Sequence, residues 1–334
     1  MKQMTSIINI AEMGKRDWVF VKESYTASED DWGFFVKGAA SSFLERRISR
    51  PDLSRYANCL RGVATARGKK DPVIISHLPK TTLYAEIFKR LLRLDCRHIA
   101  FSFNFTTLPT GIEKAMMSTF LNKVYRIVVF SEYEKIEYPR YFGIDQSRFQ
   151  FCHWCMNVPQ HDSLDDGQRY VCAVGGEGRN HGVVLDAARR FKDLQFRIVG
   201  RPGAIGSRDA PDNVEILTNV DAPRFWTIVA NSLATIVSLT DERRCCGHIS
   251  TVGSMRLGVP VVASCSLGLA DYVADGKTAL LFPPGDADGL ENCVGRLVEN
   301  ATLRRSLAEA ALDFSSRFCD EANWAETVRR FVHE

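Results

Sequence analysis

Three short stretches carry residue types and spacings suited to phosphate chemistry: VGGEGRNHG (174–182), VGRPG (199–203) and CCGHISTVGSM (245–255). Each follows a β-branched run that reads as a strand, and the first and third open a helical pattern. Gly175, Gly176 and Gly247 let the backbone approach a ligand closely. A helix N-terminus presents free N–H groups to an anion. Arg179 and Arg201 add guanidinium forks that match phosphate oxygens. His248, Ser250 and Thr251 place donors where the third stretch becomes a helix, with Ser250 expected as its N-cap. Taken singly, each turn also fits an ordinary strand-to-helix connection with a solvated arginine. Three of them along one sheet edge point to a diphosphate.

Other candidates lie elsewhere. His77 ends the run VIIS, and an imidazole there serves structure or chemistry equally well. Asn104 follows the strand-like RHIAFSF. CHWC (152–155) has a metal-like pair of thiols, which Cys245, Cys246 and His248 could complete; buried, unpaired cysteines are the expected state and no metal site is assigned. FKRLLRLDCRH (88–98) mixes Lys89, Arg90, Arg93 and Arg97 with leucines. It reads as a helix packed on a sheet with solvated charges, or as a contact with an anionic membrane surface. ERRISR (45–50) is equally open.

The elements that position these residues follow a β-α-β rhythm. Strands are expected at 72–76, 97–103, 125–131 and 148–153, with helices at 81–94, 111–124 and a short one ending near Gly143. A polar stretch, NVPQHDSLDDGQ (157–168), reads as a linker. The rhythm then restarts with strands at 170–176, 195–200, 214–217, 234–239, 259–264 and 279–282. Helices are expected at 181–192, 223–232 and 250–258, and two more close the chain. Before residue 70 the pattern is weakest: a strand at 18–24 and a helix at 33–48 are expected, with no glycine-rich phosphate loop. The fold class is therefore α/β, two tandem Rossmann-like doubly wound domains with an interdomain cleft. The expected boundaries are 1–156 for the first domain, 157–168 for the linker, 169–318 for the second domain and 319–334 for a C-terminal helix.

The bulk numbers suit this. The 334 residues are 45% hydrophobic and 25% charged, with a formal net charge of +3, too weak an excess to indicate nucleic acid. No apolar run reaches the roughly 18 residues of a membrane span. The N-terminus makes a poor signal peptide, so the ten cysteines are expected to be free thiols in a cytoplasmic protein, with a peripheral position at the inner membrane face left open.

MRLGVPVVAS (255–264) and GLADYVADGKTALLFPPGD (268–286) resemble the C-terminal domain of retaining GT-B glycosyltransferases, the family 4-like or group 1 enzymes. The matched residues are Met255, Gly258, Pro260 to Val262, Gly268, Asp271, Asp275, Gly276 and Pro283 to Asp286. The resemblance covers roughly residues 169–334. The N-terminal half is similar only loosely, through SFNFTTLPTG and IVVFSEYEKIEY. It implies a nucleoside-diphosphate-sugar as donor substrate, bound by the second domain without further cofactor, and a glycan or lipid-linked acceptor received by the first. His77, Asn104 and Arg179 are then the catalytic candidates. Gly175, Gly176, Arg179, Arg201, Glu242, Gly247, His248, Ser250 and Thr251 are the donor-binding candidates.

The chain also departs from the family. Relatives carry two glutamates eight residues apart before the Gly-x-Pro-Val-Val element, the second facing ribose; Cys245 and Gly253 stand there. Glu242 is the nearest acid able to compensate for the ribose contact. Arg179 and His181 stand in for the family's Arg and Lys on the first loop. The missing acids define the alternative reading, a catalytically silent GT-B protein that binds or regulates a transferase complex.

Overall fold

The computed structural model describes residues 4–12, 25, 30–36, 53–163, 169–203 and 209–334. The chain divides into two units: Met1–Cys152 together with Glu321–Glu334, and His153–Asp320. In the first, parallel strands β1 (Ser6–Ala11), β2 (Asp31–Val36), β3 (Val73–His77), β4 (Arg97–Phe101), β5 (Arg126–Val129) and β6 (Phe149–Phe151) form one sheet in the order β2-β1-β3-β4-β5-β6. Every residue of β1 and β3 is buried, as expected for parallel strands covered on both faces.

Among the described residues these strands are accompanied by helices α1 (Leu53–Thr65), α2 (Pro79–Leu91), α3 (Gly111–Leu121) and α4 (Glu132–Phe142). Pro79 opens α2, where its missing N–H costs nothing. Ser131 caps α4 by accepting from the Glu134 N–H. The C-terminal helix α10 (Glu321–His333) belongs to this unit. Its Trp324 is buried edge-on to Phe101 at 5.3 Å and stacked on Phe130 at 5.7 Å.

The second unit repeats the plan with β7 (Tyr170–Val174), β8 (Gln195–Gly200), β9 (Val214–Thr218), β10 (Thr235–Val237), β11 (Val261–Ser264) and β12 (Leu280–Phe282), all parallel, in the order β12-β11-β10-β7-β8-β9. Its helices are α5 (His181–Ala188), α6 (Ala222–Ala230), α7 (His248–Arg256), α8 (Ala287–Glu299) and α9 (Ala301–Phe318). Asn180, Asp221, Asp286 and Asn300 cap α5, α6, α8 and α9 through their side chains. One apolar cluster under α5 and α8 includes Val184, Phe196, Ile236 and Leu290, and a second under α7 includes Val252, Met255 and Leu269.

Two expectations are corrected. Residues 33–36 lie in β2, not in a helix: DWGFFV pairs in register with β1, and ladder pairing outweighs the helical spacing of its aromatics. The remainder of 37–48, the strand expected at 18–24 and the basic run 45–50 lie outside the described residues. Three helices, not two, follow β12, because Asn300 both ends α8 and caps α9, and a further break separates α9 from α10. Strand β1 and helix α1 had no counterpart in the sequence reading. All ten cysteines are free.

Candidate functional site

The strand order of the second unit reverses at β7: β8 and β9 run out on one side, β10 to β12 on the other. The loops leaving the carboxyl ends of β7 and β10 flank this switch point, where sheets of this kind usually hold a ligand in a crevice. Two of the three sequence-nominated turns lie there.

The first turn is built around Arg179. Gly175 has φ 115°, and a Cβ there would sit 2.7 Å from Arg179 Nη2, so only glycine admits the guanidinium across the turn. Arg179 Nε donates to Val174 O at 3.0 Å and Nη1 to Glu177 O at 3.3 Å. Nη2 donates to Ser250 Oγ at 3.2 Å, and Nη1 lies 3.8 Å from Cys246 Sγ. All these acceptors are neutral, and among the described residues no carboxylate pairs with this arginine. Burial lowers its pKa, yet a guanidinium stays charged. It is a fixed, uncompensated cation.

The second turn brings the N-terminus of α7 beside it. The N-cap is Gly247, at φ 100°, and no side chain caps the helix. Ser250 is not the cap: the left-handed turn at Gly247 starts the helix earlier, and the Ser250 hydroxyl accepts from Arg179 instead. Strand-end contacts zip the two turns together, with Asn180 N to Ser238 O at 2.9 Å and Thr240 N to Gly178 O at 3.1 Å. Ser238 Oγ and Thr251 Oγ1 are buried beside this junction without a hydrogen-bond partner among the described residues, a state native interiors rarely leave unfilled. A helix N-terminus without a side-chain cap, an arginine without a carboxylate partner and two orphan hydroxyls are chemistry suited to an anion.

The other nominated residues are placed differently. His248 is buried, donates from Nε2 to Gly268 O at 2.9 Å and lies edge-on to Tyr272. Burial holds its pKa down at about 4, so the ring is a neutral tie between two loops. His181 does the same for the first turn, donating to Gly175 O at 3.0 Å. Arg201 lies over Gly176, with its charge matched by Glu177 at 2.7 Å on the surface. Glu242 is exposed and contributes its carbonyl to Leu267 N at 2.7 Å.

Gly253 has a steric explanation. A Cβ there would lie 2.2 Å from Trp226 Cη2, so the indole of α6 fills the space a side chain on α7 would need. Cys245 is buried, with its Cα 2.7 Å from where a Gly268 Cβ would stand. Gly253 has no room for a carboxylate in this packing. The CHWC thiols are dispersed: Cys152 Sγ lies 3.6 Å from Thr327 Oγ1, and Cys155 donates to Phe318 O. Among the described residues no three His, Cys, Asp or Glu side chains gather as a metal site.

In the first unit, His77 is the last residue of β3 and Asn104 follows the carboxyl end of the adjacent strand β4. His77 is 1% exposed, bonded through Nε2 to Asn9 Oδ1 at 2.7 Å, and burial pushes its pKa down to about 3. Asn104 is half-buried. Leu78 (φ 74°) and Ser102 (φ 55°) hold left-handed backbone at these same two strand ends, a strain found at functional sites. Glu134, after β5, went unnoticed in the sequence, although SEYE (131–134) is a capping-box pattern. Burial raises its pKa to about 7, against donors on Tyr138, Ser131 and Phe130.

Comparison with known proteins agrees with this geometry. The class is given by the fold, which is that of GT-B proteins. HepE of Anabaena, in complex with UDP-glucose, aligns over 99% of both chains with a TM-score of 0.74 and 15% identity. Sucrose-phosphate synthase of Thermosynechococcus elongatus aligns over 99% of both chains at 0.73 and 14%. In the second unit, residues 169–300 match the model described as Glycosyl transferases group 1. The D-inositol 3-phosphate glycosyltransferase of Stackebrandtia nassauensis is 33% identical over 144 residues, which is 40% of this chain and 32% of the relative. That of Corynebacterium aurimucosum is 27% identical over 154 residues, 43% of this chain and 35% of the relative. The match thus spans about a third of the length of these curated relatives.

Proposed function

We propose that the protein transfers a sugar, with retention, from a nucleoside-diphosphate-sugar to a glycan or lipid-linked acceptor. The observation that carries this reading is Arg179, a cation without a carboxylate, fixed beside the uncapped N-terminus of α7 at the strand-order reversal. In this reading Arg179 and the first N–H groups of α7 bind the diphosphate and stabilise the negative charge that grows as the sugar leaves. His248 and His181 keep the two turns in place rather than touching the donor. Asn104 is the acceptor-side group with access to solvent, and His77 positions the β1–β3 edge. UDP-glucose bound in HepE and the glycosyltransferase names of the curated relatives support the same class.

Calorimetric titration with UDP-, GDP- and other nucleotide-sugars tests the reading; failure of all of them to bind at millimolar concentration overturns it. A second reading, a silent GT-B binding protein, is favoured by Trp226 filling the space over Gly253. Donor binding without transfer or hydrolysis selects it, whereas any turnover abolished by Arg179→Ala selects the enzyme.

A further inference from the structure

The basic segment 88–98 is not used by the reading above, and its charges have a destination. Around the amino ends of β3 to β6, opposite the strand ends that carry His77 and Asn104, the first unit has a cavity of about 790 Å³, within the range of ligand pockets. Six cations line it: Lys69, Lys89, Arg90, Arg97, Lys123 and Arg148.

Two of them are neutralised. Lys69 pairs with Asp31 at 2.8 Å, and Lys89 with Glu86 at 2.9 Å. The other four have no carboxylate ion pair among the described residues. Arg90 lies over the Phe120 ring at 4.8 Å, and Arg97 over Tyr125 at 6.0 Å. Arg97 Nη1 donates to Phe331 O at 3.4 Å and Arg148 Nη1 to Val124 O at 2.7 Å. Lys123 is exposed. Against these four stand two further lining acids, Asp71 and Asp95. The arginines are held by backbone carbonyls and aromatic faces, which fix them without cancelling their charge.

The wall behind them is rigid. A buried chain runs from Ser76 Oγ to His98 Nε2 at 2.7 Å, from His98 Nδ1 to Glu86 Oε1 at 2.7 Å, and on to Lys89, which also donates to Cys96 O at 3.1 Å. Three planar forks and an ammonium converging on a preformed cavity are suited to phosphate oxygens, which guanidinium groups bind bidentately.

The geometry points to a second anion site, in the first unit, that takes a phosphate-bearing ligand through Arg90, Arg97, Lys123 and Arg148. Its ligand is either a soluble polyphosphate or the phosphodiester of a lipid headgroup. The site is independent of the donor reading, because none of its residues lies in the second unit.

The test uses the full chain carrying Arg179→Ala, so that the second unit's anion site is silent. Inorganic tripolyphosphate is titrated calorimetrically. In parallel, phosphatidylcholine vesicles with and without phosphatidylglycerol are co-sedimented with the protein. Binding of tripolyphosphate alone assigns a soluble ligand, and retention by the phosphatidylglycerol vesicles assigns a headgroup. Either is expected to weaken by about tenfold or more in Arg97→Gln/Arg148→Gln and severalfold in Lys123→Gln, whose exposed side chain leaves folding intact. Absence of both bindings, or binding unchanged in these variants, overturns the proposal.

Discussion

Each unit has a point where its strand order reverses, and the two are finished in opposite ways. In the first unit the reversal lies between β1 and β3. Glu12, just past β1, accepts from Arg55 Nε at 2.5 Å and Nη2 at 2.7 Å, and also from Thr81 Oγ1 at 2.5 Å. Cation and anion are both present and cancel. In the second unit the reversal lies between β7 and β10, and Arg179 there meets only carbonyls, a hydroxyl and a thiol. The same fold thus provides the same switch point twice, and among the described residues only the second retains charge to offer a ligand. Topology nominates a site; the charge left over decides whether it binds an anion.

Removing a partner in the closed crevice has the largest expected effect on stability. Arg55→Ala leaves the Glu12 carboxylate mostly buried without its cation, and is expected to cost about 3 kcal/mol in chemical denaturation while donor affinity stays unchanged. A loss of donor affinity with intact stability would reverse the roles assigned to the two crevices. Cys246→Asp makes the open crevice resemble the closed one by placing a carboxylate where a thiol lies 3.8 Å from Arg179. Nucleotide-sugar affinity measured by calorimetry is expected to fall about tenfold or more; unchanged affinity would mean that the charge of Arg179 is not what the donor meets.

Smaller effects come from the packing around the open crevice. Gly253→Glu collides with Trp226 and is expected to lose about 1–3 kcal/mol. Adding Trp226→Ala should restore stability, and a stable single variant would refute the steric account. His248→Ala removes a hydrogen bond worth about 1 kcal/mol, with donor affinity changing far less than in Arg179→Ala. The imidazole also has a pH signature. Its pKa is lowered from 6.5 to about 4 in the folded protein, so the unfolded chain takes up a proton first. Its contribution is present above pH 6.5 and is lost as pH falls from 6.5 toward about 4. His248→Gln should flatten that part of the stability profile.

Periodicity made most of the fold legible. The runs that became β3 and β7 are largely continuous and apolar, and the glycine-bearing stretches that follow strands put Arg179 and Gly247 in turns at strand ends, where the structure has them. Strand β2 was misread because DWGFFV is short and half-exposed and gains its identity from pairing with β1, a contact not visible locally. For His248 the position beside a turn is visible in the sequence and suggests a ligand group, while its bond to Gly268, twenty residues on, is not visible there. Gly253 looks in the sequence like a lost carboxylate. The cause lies on another helix, at Trp226, and only packing reveals it.

The central claim is that the open crevice binds a nucleoside diphosphate through the uncompensated charge of Arg179. Calorimetric titration of the wild-type chain and Arg179→Ala with UDP-glucose and UDP tests it most directly. The account predicts binding to the wild-type chain that weakens by about 100-fold in the variant, with the melting temperature nearly unchanged. Equal affinities in the two proteins would contradict it.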